Sequence, residues 1–159
     1  MPDIMNKYSS IADNVWHDVK NDCKSKKWGD YTVSPEFMFL HTFSHALIKA
    51  ISHSTGYSMA SLRERIYNTD TGYGILIYSN VPGSDSSVGG LTDLITNKIF
   101  TDIIDESLTY IRGCSNDPFC SAQNRANGQA NGAACYSCIM LPENSCEYCN
   151  KFLDRNIWR

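Results

Sequence analysis

Six cysteines crowd into the final third of the chain with the spacing Cys114-x5-Cys120-x14-Cys135-x2-Cys138-x7-Cys146-x2-Cys149, a pattern that limits the available folds more than any other feature. A Cys-x2-Cys pair on a tight turn offers two sulfurs to one ion with little chain strain, and a second pair completes the tetrahedral shell that zinc prefers. Turn formers separate the members: Asp117-Pro118, Asn127-Gly128 and Asn131-Gly132. The stretch from Asn124 to Gly132 has no apolar periodicity with which to pack, so a metal cross-link is the expected source of its order. Disulfides are the weaker reading: the total of seven cysteines is odd, and residues 1–30 lack a charged segment followed by an apolar one, as an export signal requires. A thioredoxin-like redox pair at Cys135 and Cys138 needs a preceding strand, whereas Gly132-Ala133-Ala134 follows a polar loop. Scattered thiols buried as small hydrophobes are the plainest alternative, but they do not account for two Cys-x2-Cys pairs. Six clustered cysteines cannot fill two four-sulfur shells without sharing, so about one zinc per chain is expected.

The rest of the sequence reads as one ordinary globular domain. Its 159 residues suffice for a hydrophobic core, and 42% apolar with 19% charged residues argue against disorder. A net charge of -3 gives no bulk attraction to nucleic acid or anionic membranes, so any such contact must be local. No apolar run is long enough to span a bilayer, and a cytoplasmic location is expected. Residues 1–34 read as a helical lead-in. Their lysines, Lys20, Lys24, Lys26 and Lys27, are diluted by Asp18, Asp22 and Asp30 and read as a solvated face. From Ser34-Pro35-Glu36, a cap followed by a first-turn proline and an acid, apolar residues recur at helical spacing through Ile51, which predicts a helix over 35–54. The turn Thr69-Asp70-Thr71-Gly72 separates strands at 65–68 and 75–79, the second expected to be central. A helix is expected over 90–112, and a last helical stretch over 150–155.

Outside the cysteines, two constellations carry chemistry. His41 and His45 stand four apart on one helix face, where two imidazoles can ligate a metal, but the glutamate of a His-Glu-x2-His protease site is missing. Hydrogen-bonded core or groove-lining histidines are the plainer reading. The loop from Pro82 to Gly90 lies between a strand and a helix N-terminus, a place where free backbone N–H groups attract anions. Ser84, Ser86 and Ser87 add hydroxyl donors there, while Asp85 opposes an anion and no lysine is present. Arg63, Arg65, Arg112 and Arg125 are the nearest cations, so any DNA contact would be to backbone phosphate and blind to sequence. Trp16, Trp28, Trp158 and the tyrosines are more simply core or surface groups than base-stacking platforms.

Eight segments add identity to spacing. In order they are His41-Thr-Phe-Ser-His-Ala-Leu-Ile, Arg65-Ile-Tyr, Gly74-Ile-Leu-Ile-Tyr, Pro82 to Gly90, Cys114-Ser-Asn-Asp-Pro-Phe-Cys, Ala133-Ala-Cys-Tyr-Ser-Cys, Pro142-Glu-Asn-Ser-Cys-Glu and Asn150-Lys-Phe-Leu-Asp-Arg. Together they resemble the zinc-binding domain at the end of Mrf-type DNA-repair helicases and in DrmB of the DISARM anti-phage system, the DrmB-like variant more closely. The resemblance runs from about Ser34 to Arg155. It implies a zinc-dependent accessory to a superfamily-two DNA helicase in bacterial DNA repair or anti-phage defence, without an ATPase of its own. In keeping with this, the chain has no Gly-x4-Gly-Lys-Ser/Thr loop. It also implies Cys135, Cys138 and Cys146 as metal ligands, with a fourth from the Cys-x5-Cys pair: Cys120, presented by the Asp117-Pro118 turn, or alternatively Cys114. Cys149 departs from the family pattern and is a decoy or exchange ligand. With only about 35 residues ahead of the first family segment and no helicase, the chain reads as a free-standing subunit or an excised domain.

The expected architecture is therefore α+β: a lead-in at 1–34, then a domain over 35–159 with a small sheet, packed helices and a C-terminal zinc knot at 114–149. The leading function is a non-enzymatic module that supports a helicase and touches DNA backbone. The alternative is a metal-dependent hydrolase acting on nucleic acid or nucleotide through His41, His45 and Asp85. Because structural zinc contributes folding energy directly, Cys138→Ser should leave the last ~40 residues open to limited proteolysis while the wild type resists. A matching digestion pattern would show the staple to be unimportant.

Overall fold

A computed structural model describes residues 34–69, 71–79, 91, 94, 99–123 and 130–158. The lead-in at 1–33, the serines of the 82–90 loop, Asp85, Arg125, Trp16 and Trp28 lie outside these residues. The first element is helix α1, Pro35–Thr55. Its ends are set by the local signals in the sequence: the Ser34 hydroxyl accepts the Phe37 N–H at 3.2 Å, and Gly56 closes the helix in the left-handed region at φ 75°. Asn68 donates to the same Ser34 hydroxyl at 2.9 Å, tying the helix start to the sheet.

Strands β1 (Leu62–Thr69) and β2 (Gly72–Ser79) form an antiparallel hairpin in which Leu62 faces Ser79 and Thr69 faces Gly72. In β1, Leu62, Glu64 and Ile66 are buried, while Arg65 and Tyr67 alternate outward. Among the described residues the sheet has two strands, so β2 is not central as its apolar run suggested. Instead β2 is the more exposed of the pair, with Tyr73 and Leu76 open on its surface. Helix α2, Ile99–Arg112, packs on α1 through Ile103 and Ile111, and Leu91 and Leu94 lie in helical conformation ahead of it.

Helix α1 is buried on nearly every side, and three core clusters divide its surface. Leu47, Ile48 and Ile51 pack with Leu62, Ile103 and Leu141. Phe37 and Met38 pack with Ile66, Tyr148, Phe152 and Ile157. Ala46 sits against Ile111, Ala134, Ile139 and Leu153. Trp158 stacks on Phe39 with ring centroids 3.7 Å apart, so it serves packing.

The segment from Gly113 to Trp158 contains no α-helix among its described residues, only short 3-10 turns at Glu143–Ser145 and Arg155–Trp158. The helical stretch expected over 150–155 is irregular, because side chains take the backbone groups a helix would use. Asn150 holds both the N–H and the carbonyl of Leu141, at 2.8 and 2.7 Å. Asn131 accepts from Leu153 N and donates to the Asn150 carbonyl. Asn150 and Phe152 both have positive φ, which a right-handed helix excludes.

No helix among the described residues is long and apolar enough to cross a membrane. Ile48, fully buried at the centre of α1, should dominate stability. Ile48→Ala is expected to cost ~2–5 kcal/mol in denaturant unfolding, against less than ~0.5 kcal/mol for a polar replacement at the exposed Tyr73.

Candidate metal centre

The thiols of Cys114, Cys120, Cys135 and Cys138 converge, all four sulfurs lying within 4.8 Å of one another. Cys114 follows the end of α2, and Cys120 comes after the Asp117–Pro118 turn. Cys135 and Cys138 flank a tight turn in which the Ile139 and Met140 amides both point at the Cys135 carbonyl. The sulfurs stand 3.5 Å apart from Cys114 to Cys135, 3.7 Å from Cys135 to Cys138 and 3.8 Å from Cys120 to Cys138. A tetrahedron with zinc–sulfur bonds of ~2.3 Å has edges of ~3.8 Å, so the four sulfurs fit a zinc ion. Backbone N–H groups point at the sulfurs as well: Asn116 N at Cys114 and Cys135 N at Cys138, at 3.4 and 3.2 Å. Such donors favour thiolate over thiol.

Two cations answer the charge. A four-thiolate zinc shell carries two negative charges beyond the ion. Lys49 of α1 is 9% exposed and donates to the Tyr136 and Cys138 carbonyls at 2.9 and 2.8 Å; burial lowers its pKa while Cys138, Cys135 and Cys114 oppose that shift. Arg155, fully buried, donates to Cys120 Sγ at 3.4 Å, to Asp117 at 3.0 Å and to the Ile111 carbonyl at 3.2 Å. It therefore joins a ligand, the turn before that ligand and the end of α2. Without an ion the thiols pull apart in acidity. Burial pushes Cys120 up to about 12 despite the Arg155 hydrogen bond. Burial also opposes ionisation of Cys135, yet hydrogen bonds from Cys114 and from the Cys138 and Ser137 amides bring it down to about 6.

A further clamp comes from Asp154. Its carboxylate accepts the Ala133 and Asn156 N–H groups at 2.9 Å each, and its own N–H reaches Thr42 of α1 at 3.0 Å. The carboxylate fills the space above Gly132, where a Cβ would overlap it.

Among the residues singled out from sequence, Cys120, Cys135 and Cys138 share one cluster. Cys114, weighed as the alternative to Cys120, joins them as the fourth member. Cys146 lies apart, beside His41, His45 and Glu64. Cys149 is exposed and belongs to neither group. Arg65 points outward and pairs with Glu147 at 3.1 Å, and Arg63 is half-buried on the same face of β1. Sequence reasoning did not single out Lys49 and Arg155 as counter-charges. The only local signal was a cation on an otherwise core-facing stretch, at Lys49 within Ala46-Leu-Ile-Lys-Ala-Ile51.

Comparison with known proteins agrees with this geometry. The family model described as the MrfA Zn-binding domain matches residues 43–139, a span that takes in all four clustered cysteines. The DISARM protein DrmB of Bacillus paralicheniformis is 38% identical over 122 residues, which is 76% of this chain and 22% of that protein. The chain thus corresponds to less than a quarter of that relative's length. Zinc is the cofactor that both the donor set and the family indicate, and the chain belongs to the MrfA Zn-binding domain family.

Proposed function

We propose that this chain is a non-enzymatic, zinc-stapled accessory part of a DrmB-like anti-phage defence assembly, acting in the cytoplasm beside a superfamily-two DNA helicase and touching DNA through its phosphates. The observation that carries the reading is the closed four-sulfur cluster in a chain similar to DISARM protein DrmB. Four protein ligands leave no coordination position for water or substrate, which is the arrangement of a structural rather than a catalytic zinc. The hydrolase alternative gains no support from the geometry. His41 and His45 are both fully buried, away from any substrate.

Support for a DNA contact is local, as the overall acidity requires. Arg63, Arg65 and Tyr67 follow one another along the outward face of β1, and Leu76 and Tyr78 of β2 stand opposite the two arginines. The face combines cations with rings, a composition suited to phosphate contact and sequence-blind stacking. Ser84, Ser86 and Ser87, which follow β2 in sequence, are further hydroxyl donors suited to phosphate.

A pull-down from the native host should recover a helicase in stoichiometric amount; its absence would remove the partnership. In DNA binding at varied salt, Arg63→Ala with Arg65→Ala should weaken affinity equally across sequences and reduce the salt slope by ~2. An unchanged slope would place any DNA contact elsewhere.

A further inference from the structure

Cys146 has left the sulfur cluster for a different set of partners. His41 and His45 come from adjacent turns of α1, Glu64 from the inward face of β1, and Cys146 from the turn after Glu143–Ser145. One donor atom from each lies within 4.8 Å of the others. His41, His45 and Glu64 are fully buried and Cys146 is 5% exposed, so the site is closed to bulk solvent. We propose that these four side chains form a second, closed zinc site inside the core, distinct from the four-cysteine cluster.

The hydrogen bonds around the four groups orient them toward a common centre. His45 Nδ1 lies 2.8 Å from the Ile139 carbonyl, which only accepts, so Nδ1 carries a proton. In the neutral ring the lone pair is then on Nε2, and Nε2 points inward, 3.0 Å from Glu64 Oε1. A backbone carbonyl holding the far nitrogen in this way is the usual support of a metal-bound histidine. His41 Nε2 reaches the same Oε1 at 2.9 Å and Cys146 Sγ at 3.2 Å. The other carboxylate oxygen is held by the Ser44 hydroxyl, which leaves Oε1 for the centre. Cys146 Sγ accepts the Tyr148 and Asn150 N–H groups, both at 3.3 Å, as a metal-bound thiolate does on a ligand turn.

Without an ion, the fully buried Glu64 carboxylate has the two imidazoles and the Ser44 hydroxyl as partners while the Cys146 thiol lies against His41, four donor side chains gathered in an interior where charge is costly. A divalent cation among them satisfies all four at once. Imidazole, thiolate and carboxylate are all ordinary zinc ligands, and with bonds of ~2.0–2.3 Å the donors would stand ~3.3–3.6 Å apart. The contacts above are a few tenths of an ångström shorter, so the groups need only small outward shifts. The site also falls partly outside the family match, since His41 and Cys146 lie beyond residues 43–139. The expectation of one zinc counted cysteines alone; a mixed shell of two imidazoles, a carboxylate and a thiolate removes that limit.

The test is zinc content and zinc-edge X-ray absorption of the full chain, purified without chelator. Two zinc ions per chain are expected, with five sulfurs and three nitrogen or oxygen donors divided between them, an average of about 2.5 sulfurs per zinc. His45→Gln should lose one zinc and shift the remaining signal to an all-sulfur shell, whereas Cys138→Ser should raise the nitrogen and oxygen share. A wild-type chain with one zinc in an all-sulfur shell would overturn the proposal and leave a buried ion pair of histidine and glutamate. That wild-type measurement stands even if a variant fails to fold, and neither result bears on the helicase or DNA contacts.

Discussion

The irregular segment from Gly113 to Trp158 must hold its shape with almost no helix or sheet ladder, and this constraint organises the molecule. Backbone groups removed from water need partners, and here side chains supply them. Asn131, Asn150, Asp117 and Asp154 each bind two or more backbone groups of the segment. The whole is then fastened to one stripe of α1. Thr42, His45 and Lys49, at steps of three and four, reach Asp154, Ile139, and Tyr136 with Cys138, in turn. Sulfur ligation closes the remaining freedom at the end of α2 and in the 135–138 turn.

Electrostatics decides which residues can surround such a knot. Thiolates in a partly buried site repel one another, and the ion offsets only half of their charge. Lys49 and Arg155 supply the rest, one from α1 and one from the 3-10 turn at Arg155–Trp158. Neither is a ligand: Lys49 ties α1 to two carbonyls of the knot, and Arg155 ties the knot to the end of α2. Asp117 is drawn into the same network: burial works against its ionised form, and Arg155 with the Cys114 and Ser121 amides more than compensates, holding its carboxyl below the usual range. Glu64 follows the same logic beside His45 and His41, where burial is outweighed and the carboxyl stays ionised.

Much of this was legible in the sequence wherever the signal was local. The Ser34-Pro35 start and Gly56 stop of α1, the tight turn between Thr69 and Gly72, and the clustering of the cysteines each rest on neighbours within a few residues. What escaped depends on distance along the chain. Nothing in Leu62-Arg-Glu-Arg announces that Glu64 turns inward to two histidines about twenty residues earlier, since charged residues in an alternating strand usually face out. Likewise, cysteine spacing says which thiols lie near one another in sequence, not which ion each one faces. Cys146 is 105 residues from His41 yet 3.2 Å from it, and only packing of the folded chain decides that. The final stretch read as helix for a related reason: its amide side chains compete for the backbone, and their partners lie nine to twenty-two residues away.

The bare Cα of Gly132 carries a consequence for how such domains can diversify. Because the Asp154 carboxylate occupies the space a Cβ at residue 132 would need, and that carboxylate holds the Ala133 and Asn156 N–H groups, a larger residue at 132 would displace it from those bonds two positions before a ligand. A residue with neither charge nor sulfur thus helps set the backbone path into the metal knot.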